Sequence, residues 1–165
     1  MEALDERSSR ILGDLFQGTH SFREGVDALR YRANHEDDLD LLDELEQCGY
    51  LRRENEKYWL SLTALSEIDS SGARDILQKA ETIFSSLKTY YRENPRDHLM
   101  LSDLAIRTGL DVEDIKECLS YMVEGSWWGG RSGDFFTADN PHIKPAEAIL
   151  KYRQFADVAP RARIE

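Results

Sequence analysis

The sequence predicts a mainly α, α+β chain made of two similar units in series, on three observations. Apolar residues recur at three- and four-residue spacing through most of the chain. In each half that period gives way, after a third helix, to a short aromatic and aliphatic stretch suited to a hairpin. A glycine ends the third helix of each half, Gly49 and Gly125, and aligning on them sets Leu39 over Ile115, Leu42 over Cys118 and Leu45 over Tyr121.

The elements follow in order. Leu4, Ile11, Leu12, Leu15 and Phe16 predict a helix over 4–17 that Gly18 ends. Ser21 with Glu24 has the spacing of a capping box, in which side chain and backbone cap each other. Phe22, Val26 and Leu29 then carry a second helix to about Arg32. Asn34 is placed to cap a third helix with the stripe Leu39, Leu42 and Leu45, stopped by Gly49. Tyr50 to Arg53 and Lys57 to Leu62 predict strands about a turn at Glu54, Asn55 and Glu56, and Thr63 is the expected cap of a helix reaching Ile68.

Asp69 to Gly72 form a polar joint. Ile76, Leu77, Ala80, Ile83, Phe84, Leu87 and Tyr91 then mark a long joining helix over 75–93, closed by Asn94-Pro95. Leu99 to Leu101 predict a brief strand. Ser102 is read as the cap of a short helix with Leu104, Ala105 and Ile106, ended at Thr108-Gly109. Asp111 and Asp114 open the next helix, with Ile115, Cys118, Leu119 and Met122 on its stripe. A hairpin follows: Trp127-Trp128, the loop Gly129 to Gly133, and Phe135 to Thr137. Pro145 suits the first turn of a terminal helix carrying Ile149, Tyr152 and Phe155 to about Val158. The expected organisation is therefore a unit over 1–70, a second over 71–143 and a C-terminal helix and tail over 144–165.

The segment Leu101-Ser-Asp-Leu-Ala-Ile-Arg-Thr-Gly-Leu110, continuing through Ile115 and Leu119, resembles the helix-turn-helix pattern of a tightly packed alanine and a turn glycine. Leu42 to Arg53 and Tyr58 to Leu65 are similar to the recognition helix, wing and return strand of winged-helix regulators. The chain thus resembles tandem winged-helix proteins over most of residues 4 to 140. The resemblance implies two three-helix cores, each with a β-hairpin wing. In DNA-binding members the third helix enters the major groove while the wing touches phosphates. Other tandem members serve as adaptors in chromosome-organising and membrane-trafficking assemblies.

Charge runs against the nucleic-acid version. The net charge is −11. Residues 1–70 hold 8 Lys/Arg against 17 Asp/Glu, or −9, and 71–165 hold 13 against 15, or −2. On the first third helix Glu36, Asp37, Asp38, Asp40, Asp43, Glu44 and Glu46 have no basic residue among them. The second offers Glu113, Asp114, Lys116, Glu117 and Ser120. Duplex affinity comes largely from cations neutralising phosphates, so such helices subtract binding.

The favoured expectation is a non-enzymatic interaction or regulatory module. It would bind a basic protein, or its own copy, through Asp37, Asp40, Asp43 and Glu44 and through Trp127 and Trp128. Adjacent strand residues point to opposite faces, so both indoles are buried only if both faces are covered. The alternative is a dimeric DNA-binding regulator that aligns Arg52, Arg53, Lys57 and Arg131 against phosphate. An acidic decoy filling another protein's DNA cleft is a third reading.

Catalysis has no visible constellation. His20, His35, His98 and His142 lack metal-ligand spacing, and the Gly129 to Gly133 loop lacks the phosphate-cradle pattern, so neither metal nor cofactor is expected. Cys48 and Cys118 read as small buried hydrophobes in a reducing compartment. No run of apolar residues exceeds three and the amino end is charged, so a cytoplasmic chain without membrane span or secretory signal is expected.

Overall fold

A computed structural model describes residues 4–18, 25–121, 128–129, 138–153 and 155. It is a mostly helical α+β structure. Seven helices are described: α1 (Glu6–Gly18), α2 (Ala28–Asn34), α3 (Leu39–Gln47), α4 (Leu62–Ser66), α5 (Ser71–Glu93), α6 (Leu101–Thr108) and α7 (Val112–Tyr121). Six short strands accompany them: β1 (Val26–Asp27), β2 (Leu51–Glu54), β3 (Lys57–Leu60), β4 (Leu99–Met100), β5 (Trp128–Gly129) and β6 (His142–Pro145).

The strands form two antiparallel sheets in which the last strand lies in the middle, in the orders β1-β3-β2 and β4-β6-β5. The same succession of helix, short strand, two helices and two strands precedes each closure.

Local chemistry explains most boundaries. The Asn55-Glu56 turn has φ of 53° and 62°, a two-residue left-handed turn whose twist matches antiparallel strands. Gly49 and Gly109, at φ 80° and 73°, end α3 and α6 in the left-handed conformation that costs glycine little. Ser70 Oγ accepts from the Ala73 amide at 3.1 Å and starts α5.

Several boundaries depart from the sequence expectation. Val26 is on a strand rather than in the second helix. It pairs with Tyr58, Asp27 caps α2 by accepting from the Arg30 amide at 3.0 Å, and the Ala28 amide donates to Glu56 O at 2.9 Å. Leu29, expected on the buried stripe, is 61% exposed, because helix phase restarts at Asp27. The expected cap Ser21 and its partners Phe22 and Glu24 lie outside the described residues. Asn34 ends α2 instead of capping α3, and a 3-10 turn over Glu36–Asp38 intervenes. Ser61, not Thr63, caps α4, which stops at Ser66; its Oγ accepts from the Ala64 amide at 3.2 Å.

In the second half, α6 begins at Leu101. The Ser102 amide donates to Asn140 Oδ1 at 3.0 Å and Asn140 Nδ2 returns a bond to Ser102 Oγ at 3.1 Å, so the cap comes from 38 residues away. Leu101 and Leu104 fill the core while Ile106 is 81% exposed. Pro145 closes β6 rather than opening a helix, and pairs with Trp128. A 3-10 helix over Glu147–Lys151 replaces the start of the expected terminal helix. The expected return strand Phe135 to Thr137 and the helix end Gly125 lie outside the described residues.

The 23-residue α5 organises the core. Ala73, Ile76, Ala80, Ile83, Phe84, Leu87 and Tyr90 are buried along it at helical spacing. It packs against α4, α6, α7, β6 and the 3-10 helix, and Gly72 at its start meets the Phe16 ring of α1. Each fully buried leucine or phenylalanine contributes roughly 1.5–3 kcal/mol of transfer free energy. Among the described residues no helix is long and apolar enough to cross a membrane.

Candidate functional site

Leu42 and Leu45 seat α3 in the first core, which turns Asp37, Asp40 and Glu44 outward. The acidic run is not uniform. Arg7 of α1 forms an ion pair with Asp38 and donates to Asp37 O at 2.7 Å. Arg32 of α2 donates from Nη1 to Asp43 Oδ1 at 2.8 Å and to the Tyr58 hydroxyl at 3.1 Å. Arg53 of β2 donates from Nη2 and Nε to the Glu46 carboxylate at 2.8 and 3.3 Å. These counterions lie on other elements, 31, 11 and 7 residues away along the chain, so a run free of basic residues in sequence is partly neutralised in space. Glu36, Asp37, Asp40 and Glu44 are exposed and have no side-chain ion pair among the described residues.

Electrostatics sharpen the pattern. The Glu46 carboxylate bonded to it raises the Arg53 pKa, and its bonds to Tyr58 and Asp43 raise that of Arg32, so both stay charged at any working pH. Burial, with help from Asp14 and Asp38, pushes the Tyr31 phenol up to about 12. Tyr31 stacks on His35 with centroids 3.9 Å apart and meets Tyr58 edge-on at 6.4 Å, which fixes α2 against the sheet.

Two of the residues expected to face phosphate, Arg52 and Arg53, are occupied locally. Arg53 is bonded to Glu46 and lies 5.7 Å over the Tyr58 ring. Arg52 is paired with Glu54 at 3.4 Å and lies 5.8 Å over Trp59. Lys57 is half-buried on β3, opposite Glu54 and Asp27 in the two ladders. Arg131 and Trp127 lie outside the described residues, and Trp128 is placed only by its backbone, opposite Pro145.

The second third helix, α7, does not present the expected outer face. Lys116 is only 1% exposed, with Nζ donating to Ala138 O at 2.5 Å, and Ser120 is buried with its hydroxyl on Glu117 O. Asp114 is 3.5 Å from Lys79 of α5. Burial, with repulsion from Asp114, raises the Glu117 carboxyl above its usual range. The packing of α7 against α5 and Ala138 overrides the amphipathic pattern, and no signal along the sequence marks Lys116 as an inward lysine. Lys88 is a second inward lysine: its ammonium donates to Tyr152 O and, at 3.3 Å, to Arg153 O.

Cys118 is buried against α5 and its thiol is pushed up to about 12, which keeps it protonated; Cys48 is half-buried. His98 and His142 meet edge-on with ring centroids 6.0 Å apart. Among the described residues no group of three His, Cys, Asp or Glu is placed to hold a metal. Compared with protein-family models, curated proteins and solved structures, the chain matches none.

Proposed function

We propose that the chain is a non-enzymatic tandem winged-helix interaction module that docks a basic protein partner through the outer face of α3. The observation that carries this reading is the division of charge around β2 and α3. Of the cations suited to phosphate, Arg53 and Arg52 are held on Glu46 and Glu54, and Arg32 is held on Asp43, while Asp37, Asp40 and Glu44 remain outward. Local neutralisation removes the counterion release that drives duplex binding. Unpaired carboxylates in one row steer and orient a cationic surface. The element order shared by the two halves, with the last strand central in each sheet, supports the tandem winged-helix assignment.

Fluorescence anisotropy on mixed-sequence duplex DNA, at low and near-physiological salt with light scattering on the same sample, tests the proposal. The expected result is no salt-sensitive binding. Tight binding that weakens with salt overturns the protein-docking reading in favour of a DNA-binding regulator. Capture of partners from cell extract with wild type and with an Asp40→Lys, Glu44→Lys variant completes the test, the variant losing what the wild type retains.

A further inference from the structure

The outer face of the second sheet carries nitrogen and sulfur donors side by side. Leu99 of β4 and Ile143 of β6 are register partners, buried at 4% and 0% exposure, and define the inner face. Side chains alternate along a strand, so His98, Met100, His142 and Lys144 share the outer one. Met100 is the register partner of His142, and His98 stands diagonally across from it. Both histidines are exposed and Met100 is half-buried. The imidazoles lie 44 positions apart in the chain, a spacing that does not read as a ligand pair, and closure of β6 onto β4 brings their ring centroids to 6.0 Å.

That separation suits one ion. A metal about 2 Å from an imidazole nitrogen lies about 3 Å from the centre of that ring, so centroids 6.0 Å apart can straddle a single ion. The rings meet edge-on at 88°, so one of them turns about its side-chain bonds to aim a nitrogen inward. Exposed side chains make such turns within nanoseconds, and neither ring has a hydrogen bond to give up among the described residues. Directly opposed residues of an antiparallel pair have Cβ atoms about 5 Å apart, which puts the Met100 thioether within reach of the same point. The frame is held at both ends: the Tyr90 hydroxyl donates to His98 O at 2.9 Å, and Asn140 and Ser102 exchange two hydrogen bonds just beyond Met100 and His142.

We propose that His98, His142 and Met100 form a site for a monovalent copper ion. Two observations select it over a divalent cation. The third donor is a thioether, a soft ligand that favours Cu(I), while imidazole serves copper as well as zinc. Among the described residues no carboxylate or thiol completes a set of three with the imidazoles, and Lys144 in the same row adds an ammonium, so a doubly charged ion finds no compensating charge. The site exists only when β6 lies on β4, so a bound ion holds the second sheet closed. It uses no residue of the α3 face, and the two readings stand or fall separately.

The test is competition of the full chain with bicinchoninate for cuprous ion in the absence of oxygen, as wild type and as Cys48→Ser, which removes the half-buried thiol as a rival soft ligand. The Cys48→Ser chain should still take up one equivalent at the site. His98→Asn, His142→Asn and Met100→Leu, each made in that chain, should weaken cuprous binding at least tenfold with helicity by circular dichroism unchanged. Met100→Leu should leave the weaker zinc binding of the two imidazoles as it was. Cuprous ion should raise the melting temperature of the Cys48→Ser chain and leave that of its His142→Asn derivative unmoved. Carbon-13 methyl spectra of methionine-labelled protein keep the test intact if Met100→Leu disturbs the fold, because the Met100 signal should shift with the first equivalent of copper. No cuprous uptake, uptake lost with Cys48→Ser alone, or uptake indifferent to all three substitutions overturns the proposal. Zinc bound more tightly than cuprous ion overturns it as well.

Discussion

Arg53 reaches back seven residues to grip Glu46 with two N–H donors, at 2.8 and 3.3 Å, and so ties strand β2 to the end of α3. Both groups are part-exposed, so the pair contributes little to stability, about 0–1 kcal/mol. Its effect is on what the β2–β3 hairpin offers to a ligand. Arg53→Ala should leave duplex DNA binding at low salt as weak as in the wild type. Glu46→Gln should free the guanidinium and raise that binding. Anisotropy titrations of both variants check the pair, and a loss of affinity in Arg53→Ala would show the arginine already on phosphate.

The Asn55-Glu56 turn holds a glutamate at φ 62°, a conformation that disfavours residues with a Cβ. Glu56→Gly should therefore stabilise the protein by about 1 kcal/mol, the backbone bond from the Ala28 amide to residue 56 being kept. Urea denaturation with unchanged m-value is the measurement.

Leu42 and Leu29 separate core from surface on neighbouring helices. Leu42 is fully buried, so Leu42→Ala should cost about 2–5 kcal/mol. Leu29, 61% exposed, should tolerate alanine within about 0.5 kcal/mol. A large cost at Leu29 would mean that a second molecule covers α2 in solution.

Glu117 gives a pH signature of definite sign. Burial and Asp114 raise its carboxyl pKa in the folded state, so the folded form holds that proton more tightly than the unfolded form. Its contribution is fully present below the ordinary glutamate pKa and is lost as pH rises through the raised value. Glu117→Gln should therefore be more stable than wild type at neutral pH, and the difference should shrink as pH falls through the carboxylate range. Thermal melts across that range test it, and a constant difference would count against a perturbed carboxyl.

The helices were largely legible in the sequence because their stripes are local: Leu12 and Leu15, Leu42 and Leu45, and Ile76, Ala80, Ile83, Phe84 and Leu87 of α5 are buried where the spacing puts them, while Leu77 and Tyr91 are half-buried and Tyr90 takes the inner place. The β2–β3 hairpin was legible too, since its turn and both strands are contiguous. What escaped was non-local. Val26 became a strand only because Tyr58 lies beside it, and β6, bracketed by two prolines, gains its strand identity from Leu99 and Trp128. On the α3 face the carboxylates were legible, but the sequence does not tell Asp38, Asp43 and Glu46 from their unpaired neighbours. Their arginines arrive from α1, α2 and β2 through the fold. Lys116 escaped for the same reason, its acceptor being a carbonyl 22 residues on.

The central position of the last strand in each sheet sets an order of assembly during synthesis. The first sheet can close once residue 60 has left the ribosome, with its pairing partners already made. The second waits for residues 142–145, and Leu99 and Met100 stay unpaired until then. Through that interval α5, with its row of buried side chains, has α4, then α6 and α7, to lean on but lacks β6 and the 3-10 helix after it. The first half is therefore expected to form early and the second sheet to close last, onto helices already in place.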